Sequence, residues 1–492
     1  MTDLKYISIN NNEAIALKDI PAHAYQEFAD VNINLLKGNS ARHCVNYFGF
    51  HTGGKIKLIC CIADDDLHQI FVSSALVDNS IEIPSLTAQN HNFEKFEREI
   101  HENFGIKYSD HPWLKPMRKI ENYPFYKVKS EEVHEVGVGP IHAGIIEPGH
   151  FRFICNGEQI MHLEIQLGYQ HRGIEQLFFQ KKKLLERTTL AENIAGDTVV
   201  GHTTAFVNLW ESLCGFSPDY SLHYARTLAL ELERVAIHTG DLSAICADIA
   251  YQLGNSVYGR LRTPIINFLQ EWGGNRLAKG LIRAGKINFP FSPELASRLT
   301  EVFHVYEPDF YEMTQKLFTL PSALSRMEKT GVVNYDQVLE IGTVGMAARM
   351  SGLNRDIRLS HPHNLYDSFK HQPVIKHHGD VYSRAQIRKE EIKQSIGYIK
   401  ELIAKVPEFK KPENILFVPK SDAFAISLVE GWRGEICHCA ITDENGELIL
   451  YKIKDPSYHN WMALAQAVRN NEISDFPIIN KSFNLSYSGH DL

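Results

Sequence analysis

The chain of 492 residues is longer than one ordinary hydrophobic core supports, so two or more domains are expected. Hydrophobic residues at 44% and charged residues at 22% leave no room for a large disordered fraction. A formal net charge of -8 excludes the basic stripe that neutralises phosphates, so no nucleic-acid partner is expected.

The opening Met1-Thr2-Asp3-Leu4-Lys5 lacks the basic start and apolar core of a secretory signal, and no apolar run reaches the roughly 18 residues that span a bilayer. The chain is therefore expected to be cytosolic. Its eight cysteines (44, 60, 61, 155, 214, 246, 437, 439) form no regular framework and read as reduced, buried apolar residues.

Residues 1–126 read as a small mixed α/β domain. Strand-like runs at Ile56–Ile62 and Gln69–Val72, with a Gly53-Gly54 turn before them, precede a charged helical stretch over Phe93–Phe104. A polar segment, Lys127–Glu135, separates this domain from a second one over 136–492. Beyond a short strand near Val136, the spacing of Leu228, Leu232 and Val235 predicts a helix over Arg226–Gly240, and further helices are predicted over Tyr335–Ala348 and Gln386–Ala404. The end of the chain returns to strands at Phe424–Glu430, Ile436–Ile441 and Glu447–Ile453. The fold class that follows is α+β, with a mainly helical second domain edged by strands. The cationic runs Lys181–Lys183 and Lys410–Lys411 read as solvated faces.

Four stretches combine glycine with charge, which permits close backbone approach and marks candidate sites: Gly139–His150, Gly168–Glu175, Glu430-Gly-Trp-Arg-Gly-Glu435 and Asp475–His490. In this order they resemble the large subunit of membrane-bound (group 4, hydrogenase-3/4 type) nickel-iron hydrogenases and the homologous 49 kDa subunit of respiratory complex I. The likeness runs from about Val136 to Leu492 and includes Glu231-Leu-Glu-Arg234, Thr330-Gly-Val-Val333 and Asp455-Pro-Ser-Tyr-His-Asn-Trp461. The N-terminal domain resembles the 30 kDa subunit of complex I through Glu97-Arg-Glu-Ile-His-Glu102, Phe104-Gly-Ile106 and His111-Pro112, with Asn103 standing where that family has an apolar residue.

The departures shape the expected function. In the hydrogenases two Cys-x-x-Cys motifs supply four thiolates to nickel and iron, because soft sulfur suits nickel. Those positions fall here on Ala195 and Thr198, and on Ser486 and Gly489, so no metal is expected and hydrogen turnover should be absent. Hydrogenase precursors of this family also carry an extension that is removed after metal insertion. This sequence ends three residues past Gly489, so no such processing is expected.

The resemblance assigns roles around the vacated pocket. Glu147 matches the glutamate that passes protons to and from the metal site, and Arg433 the arginine above the cluster, where a guanidinium orients an acceptor oxygen or stabilises an anion. His142 and His202 lie in matching motifs and are candidates to donate a hydrogen bond to a quinone carbonyl. Glu175 matches a structural carboxylate beneath the site. The histidine of the complex I quinone loop, however, falls near Ile146.

Plainer roles stand beside these. Glu147 could bond backbone amides of the Gly149 turn, Arg433 could pair with Glu430 or Glu435, and His142 and His202 could be satisfied core histidines. Strand alternation puts Cys437 and Cys439 on one face with His438 opposite, which reads as buried thiols and not as a metal site. No Gly-x-Gly-x-x-Gly follows a strand, so no nucleotide site is expected.

The resemblance thus implies a subunit on the cytoplasmic side of the inner membrane in a complex I-like assembly. It would join an iron-sulfur small subunit of the terminal-cluster type and multi-span membrane subunits. The chain would bind no cofactor itself, the iron-sulfur cluster lying on the partner and a quinone being one expected acceptor. The alternative is a non-catalytic scaffold that docks a soluble module onto an antiporter-like membrane complex.

Overall fold

The computed structural model describes residues 5–78, 80–142, 146–409 and 415–492. The opening Met1–Leu4, Ala143–Ile145 within the Gly139–His150 motif and the Lys410–Lys411 run lie outside the described residues. The fold is α+β.

The N-terminal part is built on three long antiparallel strands, Arg42–Thr52, Lys55–Asp64 and Gln69–Val77. Gly53 and Gly54, with φ of 53° and 78°, close the first hairpin in two residues, which the right-handed twist of the flanking strands favours. Alternation gives the sheet two apolar faces. Tyr47, Leu58, Cys60 and Ile62 pack under the helices Tyr25–Leu36 and Glu94–Phe104. Val45, Phe48, Ile59, Cys61 and Val72 pack against Phe424, Ile426, Leu428, Cys437, Cys439 and Ile441 of a second sheet. Each large apolar side chain buried there contributes about 1.5–3 kcal/mol, so this shared core binds the two parts firmly.

The second sheet runs Leu448–Lys454, Glu435–Thr442, Ala423–Glu430, Ala14–Ala16. Its last strand departs from the expected division at 126, because Ala14–Ala16 pairs antiparallel with Ala423–Ala425. Asn11 fixes the crossing by bonding both backbone groups of Leu428, at 2.9 and 2.7 Å.

The helix Tyr220–Asp248 forms the axis of the helical part, capped by the Asp219 carboxylate on the Leu222 amide. It packs against Gln252–Gly273 and Val381–Ile403, while Val199–Leu213 lies across the second sheet. It extends well beyond the predicted Arg226–Gly240 because it is buried almost all round, which leaves little amphipathic contrast to read at its ends.

The helix predicted over Tyr335–Ala348 is corrected. It stops at Ile341, where Gly342 takes φ of 75°, and only a short helix, Met346–Arg349, follows. Gly345 interrupts the run because a Cβ there would lie 2.2 Å from the Cα of Gly434. The break lets the two backbones touch beneath the turn that carries Arg433.

Candidate functional site

Arg433 projects from a tight turn between Ala423–Glu430 and Glu435–Thr442, closed by reciprocal backbone bonds between Gly431 and Gly434 of 2.9 and 3.1 Å. Glu231-Leu-Glu-Arg234 holds that turn from below. Arg234 donates to the carbonyls of Glu430 and Gly431 at 2.9 and 3.0 Å.

The turn aims the Arg433 guanidinium at the first vacated motif. Nη1 and Nη2 meet the two oxygens of Asp197 at 2.6 and 2.5 Å, Nη1 also reaches Thr198 Oγ1 at 3.0 Å, and Nε donates to the Asn484 carbonyl at 2.5 Å. Trp432 lies 4.0 Å from the guanidinium carbon and donates its indole N–H to the Asp197 carbonyl at 2.8 Å. The expected pairing with Glu430 or Glu435 is corrected. Glu430 bonds Arg349 at 2.8 Å, and Glu435 bonds Lys454 and, at 2.6 Å, His43. Asp197 lies inside the Ala195–Thr198 motif, where the spacing of the vacated ligands drew attention from the residue between them.

The second vacated motif opens the last helix. Ser486 caps Tyr487–Asp491 by accepting the Gly489 amide at 2.9 Å. Glu147 Oε2 accepts the next two amides, Tyr487 at 3.2 Å and Ser488 at 3.3 Å. It thus bonds backbone amides, but those of the final helix and not those of the Gly149 turn. His142 Nε2 donates to the Gly149 carbonyl at 2.8 Å and so closes its own loop.

His202 is fully buried with both ring nitrogens engaged. Nε2 meets Asp455 at 2.9 Å and Nδ1 meets His438 at 3.1 Å, and His438 continues to Tyr451 at 2.7 Å. Burial alone would raise the Asp455 carboxyl, but His202 and then Arg433 hold it down at about 2. Burial, with His202 beside it, keeps His438 neutral. Asp455, His438 and Asn484 complete the site, and none of them is singled out individually by the sequence, although Asn484 lies in the Asp475–His490 stretch. The signal for Asp455 is its place at the head of the Asp455–Trp461 stretch.

Glu175 stands apart. It accepts the Ile453 amide at 2.9 Å and Lys452 at 3.0 Å, and Lys452 goes on to Glu99 of the N-terminal part at 2.6 Å. Against its burial, Arg118 and Lys452 keep Glu99 well below the usual carboxylate range.

Cys437 and Cys439 share a face, their sulfurs 3.8 Å apart, and Asn46 donates to both at 3.6 Å. Burial pushes both thiols well above their ordinary range, as it does for inert structural cysteines.

Comparison with known proteins agrees with this architecture. Residues 23–128 match the family described as respiratory-chain NADH dehydrogenase, 30 Kd subunit, and residues 254–424 match respiratory-chain NADH dehydrogenase, 49 Kd subunit. The chain thus joins a segment that matches the 30 kDa-type family to a later segment that matches the 49 kDa-type family. This fused chain is 26% identical over 508 aligned positions to hydrogenase-4 component G of Escherichia coli, an alignment covering 96% of the chain and 86% of that protein. It is 26% identical to formate hydrogenlyase subunit 5 of Escherichia coli, over 76% of the chain and 66% of that protein. Against the C/D component of the NADH-quinone oxidoreductase of Bacteroides thetaiotaomicron the identity is 28%, over 75% of the chain and 77% of that protein.

A nickel-iron centre does not fit the fused chain. Ala195 has no donor atom, the Thr198 hydroxyl is bonded to Arg433, and the Ser486 hydroxyl caps a helix. At Gly489 a Cβ would lie 2.7 Å from Asp455 Cγ, so a cysteine there would displace a buried carboxylate. The four positions offer hard oxygen or nothing, where nickel takes soft sulfur.

Proposed function

We propose that the fused chain is a peripheral subunit of a membrane-bound, complex I-like oxidoreductase on the cytoplasmic face of the inner membrane. It receives electrons from an iron-sulfur small subunit, passes them to a quinone or another small acceptor, and turns over no hydrogen. Multi-span membrane partners couple the transfer to ion movement. The relatives support the class, being named as hydrogenase and NADH-quinone oxidoreductase components. Among the described residues no helix is long and apolar enough to cross a membrane, which fits attachment through partners.

The observation that carries the reading is the Arg433–Asp197 pair in place of the first thiolate motif. Arg433 is 4% exposed and Asp197 37%, so the pair reaches the surface from a charged interior. Among the described residues, four of the five guanidinium N–H groups are used within the chain, which leaves one for an acceptor oxygen.

A scaffold role is the second reading. It is favoured by Glu147, His142 and His202, which all spend polar atoms on bonds within the chain. Gentle detergent purification of the tagged chain, with mass spectrometry of what stays bound, tests the assembly. Recovery of a cluster-bearing small subunit with membrane subunits supports electron transfer, and membrane subunits alone support the scaffold. Within the intact assembly, Glu147→Gln and Arg433→Met should each slow electron transfer. Unchanged rates in both would leave the scaffold reading.

A further inference from the structure

A cavity of about 360 Å³ lies between the Glu94–Phe104 helix of the 30 kDa-type domain and the Ser457–Ala467 and Tyr487–Asp491 helices of the 49 kDa-type domain. That volume suits a small organic molecule. Leu163, Trp461 and Met462 give it apolar walls.

Lys95 stands in this wall without an ion-pair partner among the described residues. Among the described residues no carboxylate comes within 4.0 Å of its Nζ, whose hydrogen-bond partner is His490 Nε2 at 3.2 Å. The acidic neighbours are engaged elsewhere, Glu94 with Arg98 at 2.6 Å and Asp491 with His490 at 2.9 Å and with the amides of Gly168 and Gln170. His490 cannot share the charge, since burial and then Lys95 itself hold its imidazole at about 4. Two further lining residues, His162 and His459, each keep a buried Nε2 without a partner among the described residues.

A desolvated cation without a counter-ion is costly, and an anionic ligand removes that cost. Burial holds the Lys95 ammonium down at about 7, and an anion beside it favours the charged form.

We propose that this interdomain cavity binds a small monocarboxylate with an aromatic or aliphatic body, its carboxylate paired with Lys95 and its body between Leu163, Trp461 and Met462. The site is separate from the Arg433–Asp197 pair but is tied to the Ser486 turn. Trp461 donates to the Ser486 carbonyl at 3.4 Å, and His490 lies on the helix that Ser486 caps. Occupancy would therefore stiffen the helix on which Glu147 rests.

Naphthoate and its neutral analogue naphthamide are suitable probes, titrated against the full chain by calorimetry and tryptophan fluorescence. Naphthoate should bind saturably and more tightly than naphthamide. Lys95→Met should weaken naphthoate at least about tenfold, the loss of one charge-assisted contact, and leave naphthamide unchanged. Ala465→Leu, which intrudes on the cavity, should weaken both. Absence of saturable naphthoate binding, or the same naphthoate affinity in Lys95→Met or in Ala465→Leu, overturns the proposal. Should Lys95→Met fail to fold by circular dichroism, the comparison of the two probes on the unmodified chain decides, and equal affinities overturn it.

Discussion

Arg433 and Asp197 meet through two parallel hydrogen bonds of 2.6 and 2.5 Å, so a guanidinium-carboxylate fork stands at the Ala195–Thr198 stretch. The fork is held in turn by the indole of Trp432 and the carbonyl of Asn484. A charged, rigid pair therefore stands where a metal ligand set would need softness and open coordination.

A double-mutant cycle measures that fork. Arg433→Met, Asp197→Asn and the double variant, compared by urea unfolding, should give a coupling of roughly 1–2 kcal/mol. This is below the value of a fully buried pair because Asp197 is partly exposed to water. Each single variant should destabilise more than the coupling alone, since it leaves one ion without its partner. Additive effects would show that the two charges act independently.

Thiolates introduced at the four positions should not create a nickel site. A variant with cysteine at 195, 198, 486 and 489 should hold no stoichiometric nickel by elemental analysis, because Asp455 occupies the space above Gly489. Gly489→Ala alone should lower stability by about 1–3 kcal/mol through overpacking against that carboxylate. Unchanged urea stability in Gly489→Ala would mean that Asp455 moves aside freely.

Glu233 makes stability depend on pH. Burial raises its carboxyl to about 8, even though it accepts the amides of Val200 and Gly201. Between its ordinary value of 4.5 and about 8 the folded chain keeps a proton that the unfolded chain has released. Unfolding then releases a proton, so this group's contribution to stability falls as pH rises through that window. Glu233→Gln stays neutral and should remove up to ~1.4 kcal/mol per pH unit of that fall. Urea unfolding of both proteins from acid to mildly alkaline pH reads the difference, and parallel profiles would refute it.

Lys452 ties the two parts together by bridging Glu99 and Glu175. Lys452→Met leaves Glu99 to Arg118 and Glu175 to the Ile453 amide, and should cost roughly 1–3 kcal/mol. Hydrogen exchange should quicken in Glu94–Phe104 and Ile174–Gln180 before it does in Tyr220–Asp248. Uniform quickening would point to global unfolding in place of loosened docking.

Local pattern made much of the fold legible. The Gly53-Gly54 hairpin, the Glu94–Phe104 helix and the strands around 424–453 follow from alternation, turn chemistry and helical spacing, which operate over a few residues. The Tyr335–Ile341 helix is shorter than its local pattern because what ends it includes a contact between Gly345 and Gly434, invisible to any local window. The strand Ala14–Ala16 carries no local signal and exists because Ala423–Glu430 offers it an open edge. The motifs gave the neighbourhood of the site, but Asp197 and Asp455 emerged only with their partners.

The sequence by itself determined the class of fold and the two family likenesses, since each depends on which residues occur and in what order. Tertiary structure alone decided how Arg433 is paired. Arg433 was free to pair with Glu430, Glu435 or Asp197, and the choice fell to Asp197 because Arg349, Lys454 and His43 had already engaged the other two. A buried charge takes the counter-ion that geometry leaves within reach, and that allocation is set across the whole fold and not along the chain.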